Sequence, residues 1–190
     1  MIDLDERLNK ILDRITSDDF LSGRKLSGEI PFYAFDYDPK AEPAVRAHIA
    51  FVISQLKRRK PELHVAHINL WELLVGYLKE RNIFDKAVAM QREKGSEAAL
   101  KALKAPLDST KLAKALVETA SPAEHDLIIV SGVGAAYPLL RTHNLLNNLH
   151  SKMGSTPLVL FFPGKYDGQS LQLFGLLKDN PYYRAFRLVD

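Results

Sequence analysis

Two short segments hold the residues whose types and spacing could form a binding site. The first, residues 131–138, has the sequence SGVGAAYP and includes Ser131, Gly132, Gly134 and Tyr137. Two closely spaced glycines let a backbone turn sharply and approach a ligand or a partner chain. The amides at the start of a following helix could also hold an anion. The alternative is a tight turn that needs glycine for its geometry alone.

The second segment, residues 163–168, has the sequence PGKYDG and offers Gly164, a cation at Lys165 and an aromatic hydroxyl at Tyr166. A phosphate-binding loop would need Ser or Thr where Tyr166 stands, and a glycine where Val159 stands. The sequence therefore does not predict a triphosphate and magnesium site here.

The glycine pair also fails as a dinucleotide fingerprint. The position three residues after Gly134 should be small, and Tyr137 stands there. No acidic residue follows about twenty positions later at the end of the next predicted strand, which ends at Phe162. A divergent nucleotide-binding or anion-binding domain using Gly132, Gly134 and Lys165 remains an alternative hypothesis.

No residue set predicts catalysis, a metal ion or a cofactor. The chain has no cysteine, its six histidines lack zinc-site spacing, and Ser131 lacks the GxSxG context of a nucleophile elbow. Asp36 and Asp38 could place two carboxylates at a divalent ion, but the pattern DYDP is more typical of a turn. Asp36 is nevertheless assigned to the predicted binding edge, and so is Arg141.

The final residues are rich in aromatic and arginine side chains, the types that dominate protein interfaces. Tyr182, Tyr183 and Arg184 are therefore predicted partner contacts, with packing inside the domain and base stacking as alternatives. The net charge of +3 does not favour nucleic acid. The basic run at residues 57–60 ends a predicted helix, where cations complement the helix dipole.

These segments belong to an α/β pattern of helices and strands. Apolar residues recur at helical spacing from Leu4 to Ile15, and continuous apolar runs at 127–130 and 158–162 are typical of strands buried on both faces. Further strands are predicted at 31–35, 63–68 and 183–188, and a short helix near 170–177. The alternation predicts a three-layer, mostly parallel sheet of about five strands flanked by helices. Its strand ends would form one binding edge.

The chain is long enough for one domain, 1–190, with a helical insertion between strands 2 and 3 that could form a lobe at 71–125. The absence of cysteine, of a long apolar run and of a secretory pattern in MIDLDERLNK predicts a cytoplasmic protein without membrane contact.

Five segments occur in a familiar order: IVSGVG at 129–134, YPLLR at 137–141, FPGKY at 162–166, LQLF at 171–174 and YYRAF at 182–186. In this the chain resembles the BrxB family, the small B component of BREX bacteriophage-exclusion systems. The resemblance is specific over 126–188 and looser over the rest of the chain.

The resemblance implies a role in a system more than a reaction. BREX operons combine an ATPase component, a DNA methyltransferase and PglZ, a protein resembling alkaline phosphatases, and they block phage replication. A B component without a catalytic motif would fit an adaptor that contacts PglZ or the ATPase component. The alternatives are the anion-binding regulatory domain above and a nucleic-acid-binding accessory protein.

Overall fold

The computed structural model describes residues 3–22, 31–178 and 185–190. Its helices are α1 (Leu4–Ile15), α2 (Asp18–Leu21), α3 (Glu42–Arg59), α4 (Leu70–Glu80), α5 (Phe84–Leu103), α6 (Ser109–Ala120), α7 (Val133–Ala136) and α8 (Thr142–Leu149). Its strands are β1 (Phe32–Tyr37), β2 (Val65–Asn69), β3 (Leu127–Ser131), β4 (Leu158–Tyr166), β5 (Leu171–Leu173), β6 (Leu177–Lys178) and β7 (Ala185–Arg187). Two single 3₁₀ turns lie at Pro39–Ala41 and Pro122–Glu124.

Five strands form a parallel sheet in the order β2-β3-β4-β1-β7. The register aligns Ala34 of β1 with Leu160 of β4, and Val130 of β3 with the same residue. The predicted α/β class and the mostly parallel sheet of about five strands are confirmed. Residues 127–130 of β3 and 158–162 of β4 are buried without interruption, which explains the continuous apolar runs in the sequence.

Helices cover both faces of this sheet and create two separate cores. On one face α1, α2 and α3 contribute Leu8, Ile11, Phe20, Val45 and Val52 to a core with alternate strand residues. On the other face, α4, α6, α7 and α8 pack against the remaining strand residues, with α5 reaching the same core at Leu103. The side-chain alternation of each buried strand therefore feeds both cores.

The structure corrects three boundaries in the predicted elements. Strand β1 continues through Tyr37, so Asp36 lies inside a strand and is not in a turn. Strand β4 continues to Tyr166, so Gly164 and Lys165 are also strand residues. The helix expected to follow residues 131–138 is divided: a single turn, α7, begins at Val133 inside that segment, and the longer helix α8 begins at Thr142.

The helix predicted near 170–177 is wrong, because β5 and β6 form an antiparallel hairpin there and extend β4. Gly168 and Gly175 have φ values of 92° and 71°, and they open the turns on either side of β5. Backbone pairing with the long end of β4 outweighs the weak helical pattern of this short segment.

The segment between β2 and β3 is mainly helical, as predicted, and its α-helices are α4, α5 and α6. Gly95 has φ 83° and ψ 170°, a conformation that interrupts α5. A kink at Gly95 therefore divides α5 into residues 84–94 and 96–103. Within the described residues, no helix combines the length and the apolar character that crossing a bilayer requires.

Candidate functional site

The carboxyl ends of β2 and β3 lie side by side, with Asn69 aligned with Ser131. The Nε2 atom of His67, two residues before the end of β2, lies 2.8 Å from the Oγ atom of Ser131, the last residue of β3. Desolvation lowers the pKa of His67, and the carboxylate of Glu72 acts in the opposite direction. The imidazole of His67 and the buried hydroxyl of Ser131 thus form a hydrogen bond between two strands, although His67 as a whole residue is exposed.

Gly132 follows Ser131 with a φ of 74°, a left-handed conformation that favours glycine. A Cβ atom at this position would lie only 2.2 Å from the Oδ1 atom of Asn69. That oxygen is in use, because it accepts hydrogen bonds from the backbone amides of Trp71 and Glu72 and so caps α4. The close approach of the Asn69 side chain therefore explains the glycine at position 132 without any ligand.

Phe174 packs closely against two more of the predicted edge residues, Gly134 and Gly164. A Cβ at Gly134 would lie 3.2 Å from the Phe174 ring, and one at Gly164 would lie 3.0 Å from the Phe174 amide and 2.1 Å from the carbonyl oxygen of Gln172. The ring of Tyr137 also packs on Phe174 edge to face, with 6.0 Å between ring centroids. The hairpin turn after β5 thus closes over this edge.

Lys165 and Tyr166 occupy neighbouring positions of β4 with different surroundings. Lys165 is exposed, whereas Tyr166 is buried and its hydroxyl donates to the carbonyl of Ala185 at 2.6 Å. Burial raises the pKa of Tyr166. Beyond them, the amides of Ser170 and Gln169 donate to Asp167 and lower the pKa of its carboxyl to about 2. Asp167 therefore stabilises a turn.

Asp36 is not part of the segment 131–138, and both of its carboxylate oxygens bind groups within the domain. Its Oδ1 atom lies 2.8 Å from a guanidinium nitrogen of Arg7 and 3.4 Å from one of Arg187. Its Oδ2 atom accepts the Tyr166 amide at 2.9 Å. Arg7 also stacks over the Phe35 ring at 4.6 Å. The carboxylate joins α1, β1, β4 and β7 from the inside.

An apolar groove opens beside the loop that carries Tyr137. It encloses about 540 Å³ between α4, the two parts of α5 and residues 135–139. Trp71, 42% exposed, lines it. The guanidinium of Arg141 lies 5.3 Å from the centre of the Tyr137 ring, which lines the groove. Other lining side chains include Val75, Phe84, Val88 and Leu139.

Of the edge residues predicted by name only Tyr137 lines this groove, together with its neighbours Ala135 and Pro138, while Trp71 and Phe84 were missed. One available signal was the single tryptophan of the chain directly after a predicted strand end. The predicted contacts Tyr182, Tyr183 and Arg184 lie outside the described residues. Within residues 3–22, 31–178 and 185–190 no group of three or more potential metal ligands converges.

Comparison with known proteins assigns the chain to a family. The model of the family described as "BREX protein BrxB" matches residues 66–188, which include both strand ends and the groove. The chain belongs to the BrxB family. The matched residues include all five segments that carry the resemblance.

Two BrxB relatives match along almost the whole chain. A BREX protein BrxB from Bacillus cereus (strain H3081.97) is 40% identical over 191 residues, covering 98% of this chain and 98% of the relative. A BREX protein BrxB from Escherichia coli O9:H4 (strain HS) is 36% identical over 191 residues, covering 100% of this chain and 94% of the relative. No solved structure matches the chain significantly.

Proposed function

We propose that this chain is a non-catalytic assembly subunit of a BREX anti-phage defence system. In this role it binds the PglZ-type phosphatase-like protein, the ATPase component, or both, and holds them together. Its working compartment is the cytoplasm, where phage DNA replicates.

The observation that carries the proposal is the apolar groove between α4, α5 and residues 135–139. An exposed apolar surface is costly in water, and soluble proteins keep such a surface mainly where a partner covers it. Trp71 and Tyr137 give this groove the aromatic side chains that contribute most to protein interfaces. The turn at Phe174 carries a further apolar side chain, Leu176, which is 84% exposed.

The chemistry of the strand ends supports binding to protein more than a reaction. Ser131 is 8% exposed, which leaves its hydroxyl little access to a substrate. An activated serine also needs a base held by a third group. His67 contacts Ser131, but Glu72 affects the pKa of His67 only through its charge. The arrangement therefore supports a structural hydrogen bond more than an activated serine.

The anion-binding alternative has less support, because Asn69 already occupies the space beside Gly132 and α7 is a single turn. The nucleic-acid alternative would use the exposed basic end of α3, Lys57, Arg58 and Arg59. This end lies at the opposite edge of the sheet from the groove, and the net charge of the chain is only +3.

Co-purification tests the proposal. The chain is expressed with tagged PglZ-type protein and, separately, with the tagged ATPase component, and the complexes are washed at low and moderate salt. The wild-type chain is expected to remain with at least one of them. Trp71→Glu is expected to weaken that association by about tenfold or more, because it introduces a charge into an apolar contact.

The matched control is Phe51→Glu, since Phe51 is 50% exposed and lies on α3, across the sheet from the groove. This variant is expected to co-purify like the wild type. Circular dichroism checks that both variants are folded. Loss of association of the wild-type chain with every BREX component, or equal retention of the Trp71→Glu and wild-type chains, would overturn the proposal.

A further inference from the structure

Strand β2 forms one margin of the parallel sheet, with β3 on its inner side and no strand on its outer side among the described residues. Alternate backbone N–H and C=O groups of such a strand point away from the sheet. They are therefore open to pairing with another extended chain, which is how peptides add a strand to a sheet.

The sequence of β2, Val65–Asn69, contains neither lysine nor proline. Those are the residues with which many proteins block unwanted pairing at a sheet margin. The opposite margin differs, since β7 has only three residues and carries Arg187, which reaches Asp36. The unblocked margin of β2 is thus a specific feature of this side of the molecule.

A cavity of about 490 Å³ runs along this margin. His67 and Ile68 both line it, although consecutive strand residues point to opposite faces of a sheet. The cavity consequently follows the outer edge of β2. Helices α4 and α6 form its wall, and Gly76 of α4 leaves room there, because a Cβ at that position would meet no atom within 4 Å.

The cavity is acidic although the whole chain is basic. Glu72, Glu80 and Glu118 line it, and Arg81 is the one lysine or arginine among its lining residues. Arg81 is engaged by Glu80 at 3.6 Å, and its guanidinium lies 3.5 Å from the centre of the Tyr77 ring. This leaves the carboxylates of Glu72 and Glu118 to face an incoming chain.

The two remaining carboxylates are only weakly compensated. Glu118 lies 3.7 Å from Lys114, one turn earlier on α6, and both side chains are largely exposed. Exposed pairs of this kind contribute little free energy and exchange partners readily. Three carboxylates against one guanidinium give the lining a formal charge of −2, compared with +3 for the chain.

We propose that the outer edge of β2 binds an extended, lysine- or arginine-bearing segment of a partner protein. The segment pairs with the backbone of β2 and places a cation against Glu72 and Glu118. This surface is separate from the Trp71 groove, so the inference goes beyond the assembly role and does not depend on that groove.

Fluorescence anisotropy of the full chain with a labelled synthetic peptide tests the inference. The probe is acetyl-TVKVKVT-amide, which favours an extended conformation and carries two lysines. Its controls are the same peptide with glutamate for lysine, and TVKPKVT, which keeps the charges but cannot complete the ladder. Both controls are expected to bind at least about tenfold more weakly, and binding of the probe is expected to fall with added salt.

Two variants locate the peptide on the protein. Gly76→Leu fills the cavity while placing a better helix former in α4, and it is expected to weaken binding by about tenfold or more. Ala47→Leu, on an exposed turn of α3, is the matched control and is expected to bind like the wild type. Bound peptide is also expected to slow hydrogen exchange of the β2 amides.

Three results would overturn the inference. One is no binding of the lysine peptide at low salt. Another is equal binding of the proline-containing peptide, which would mean attraction by charge alone. The third is unchanged affinity of Gly76→Leu, which would place the peptide elsewhere. None of these results alters the expectation for Trp71→Glu, so failure of this inference is distinguishable from failure of the assembly role.

Discussion

Asp36 illustrates how residues far apart in the sequence decide the role of one carboxylate. Its partners Arg7, Tyr166 and Arg187 are 29, 130 and 151 positions away. The local sequence DYDP indicated a turn with two available carboxylates, and no local pattern could reveal these partners. Because Asp36 is largely buried, these partners supply the hydrogen bonds that water would otherwise give its carboxylate.

Replacing Asp36 is expected to destabilise the whole domain. Asp36→Ala removes the carboxylate that pairs with Arg7 and accepts from the Tyr166 amide, while Arg7 keeps its bonds to backbone carbonyls. The expected loss in free energy of unfolding is about 3 kcal/mol. Urea denaturation measures it. Asp13→Ala, at an exposed position of α1, is the control and should lose less than about 0.5 kcal/mol. Equal losses in the two variants would contradict the structural role.

His67 is expected to titrate below the ordinary histidine value. Desolvation lowers its pKa and Glu72 raises it, so Glu72→Gln should lower the pKa further. A lowered pKa in the folded chain means that folding favours the neutral ring. The associated stability is present above the unfolded value of about 6.5 and is lost as pH falls through the folded pKa.

NMR titration of the His67 ring proton measures both effects. Glu97→Gln, a charge removal on α5, serves as the control and should leave the titration unchanged. A His67 pKa above 6.5, or a rise after Glu72→Gln, would contradict the placement of this ring beside Ser131 and Glu72.

At the scale of elements, α4 and the broken helix α5 create the apolar groove. The sequence predicted a helical insertion between strands 2 and 3, because its apolar residues recur at helical spacing. It did not predict that Gly95 would interrupt α5 and let both parts line one surface. An isolated glycine in a helical pattern is often tolerated without a break, so the pattern alone could not decide between these outcomes.

Two glycine-to-alanine substitutions are expected to change stability in opposite directions. Neither new Cβ would meet an atom within 4 Å, so only the backbone differs. Gly95→Ala should destabilise the chain by about 1–3 kcal/mol, because φ 83° and ψ 170° suit glycine alone. Gly76→Ala, inside α4, should stabilise it by about 0.5–1 kcal/mol. Urea denaturation tests both, and the same sign for both would contradict the break in α5.

For the whole molecule, one sheet carries two cores. Strand β3 contributes Ile128 and Val130 to one core, and Leu127 and Ile129 to the other. Loss of either core would expose one face of a buried strand, which couples the two layers energetically. On this ground we predict that the chain is a single domain, with a separately folding lobe at 71–125 as the alternative.

Unfolding in urea is therefore expected to be one cooperative transition. Trp71 is the single tryptophan and lies on the helical insertion, so its fluorescence reports on that region, while far-ultraviolet circular dichroism reports on all elements. The two midpoints should coincide. An earlier fluorescence transition would mean that the helical insertion unfolds as a separate lobe.

The sequence by itself determined the α/β class, most helix and strand positions, and membership of the BrxB family. Local periodicity, buried apolar runs and short ordered motifs carry that information. Only the tertiary structure decided that Asn69 lies against Gly132, that Asp36 is enclosed by two arginines, and that β2 is a margin of the sheet. Strand order and side-chain neighbours depend on contacts between distant segments, so no local pattern specifies them.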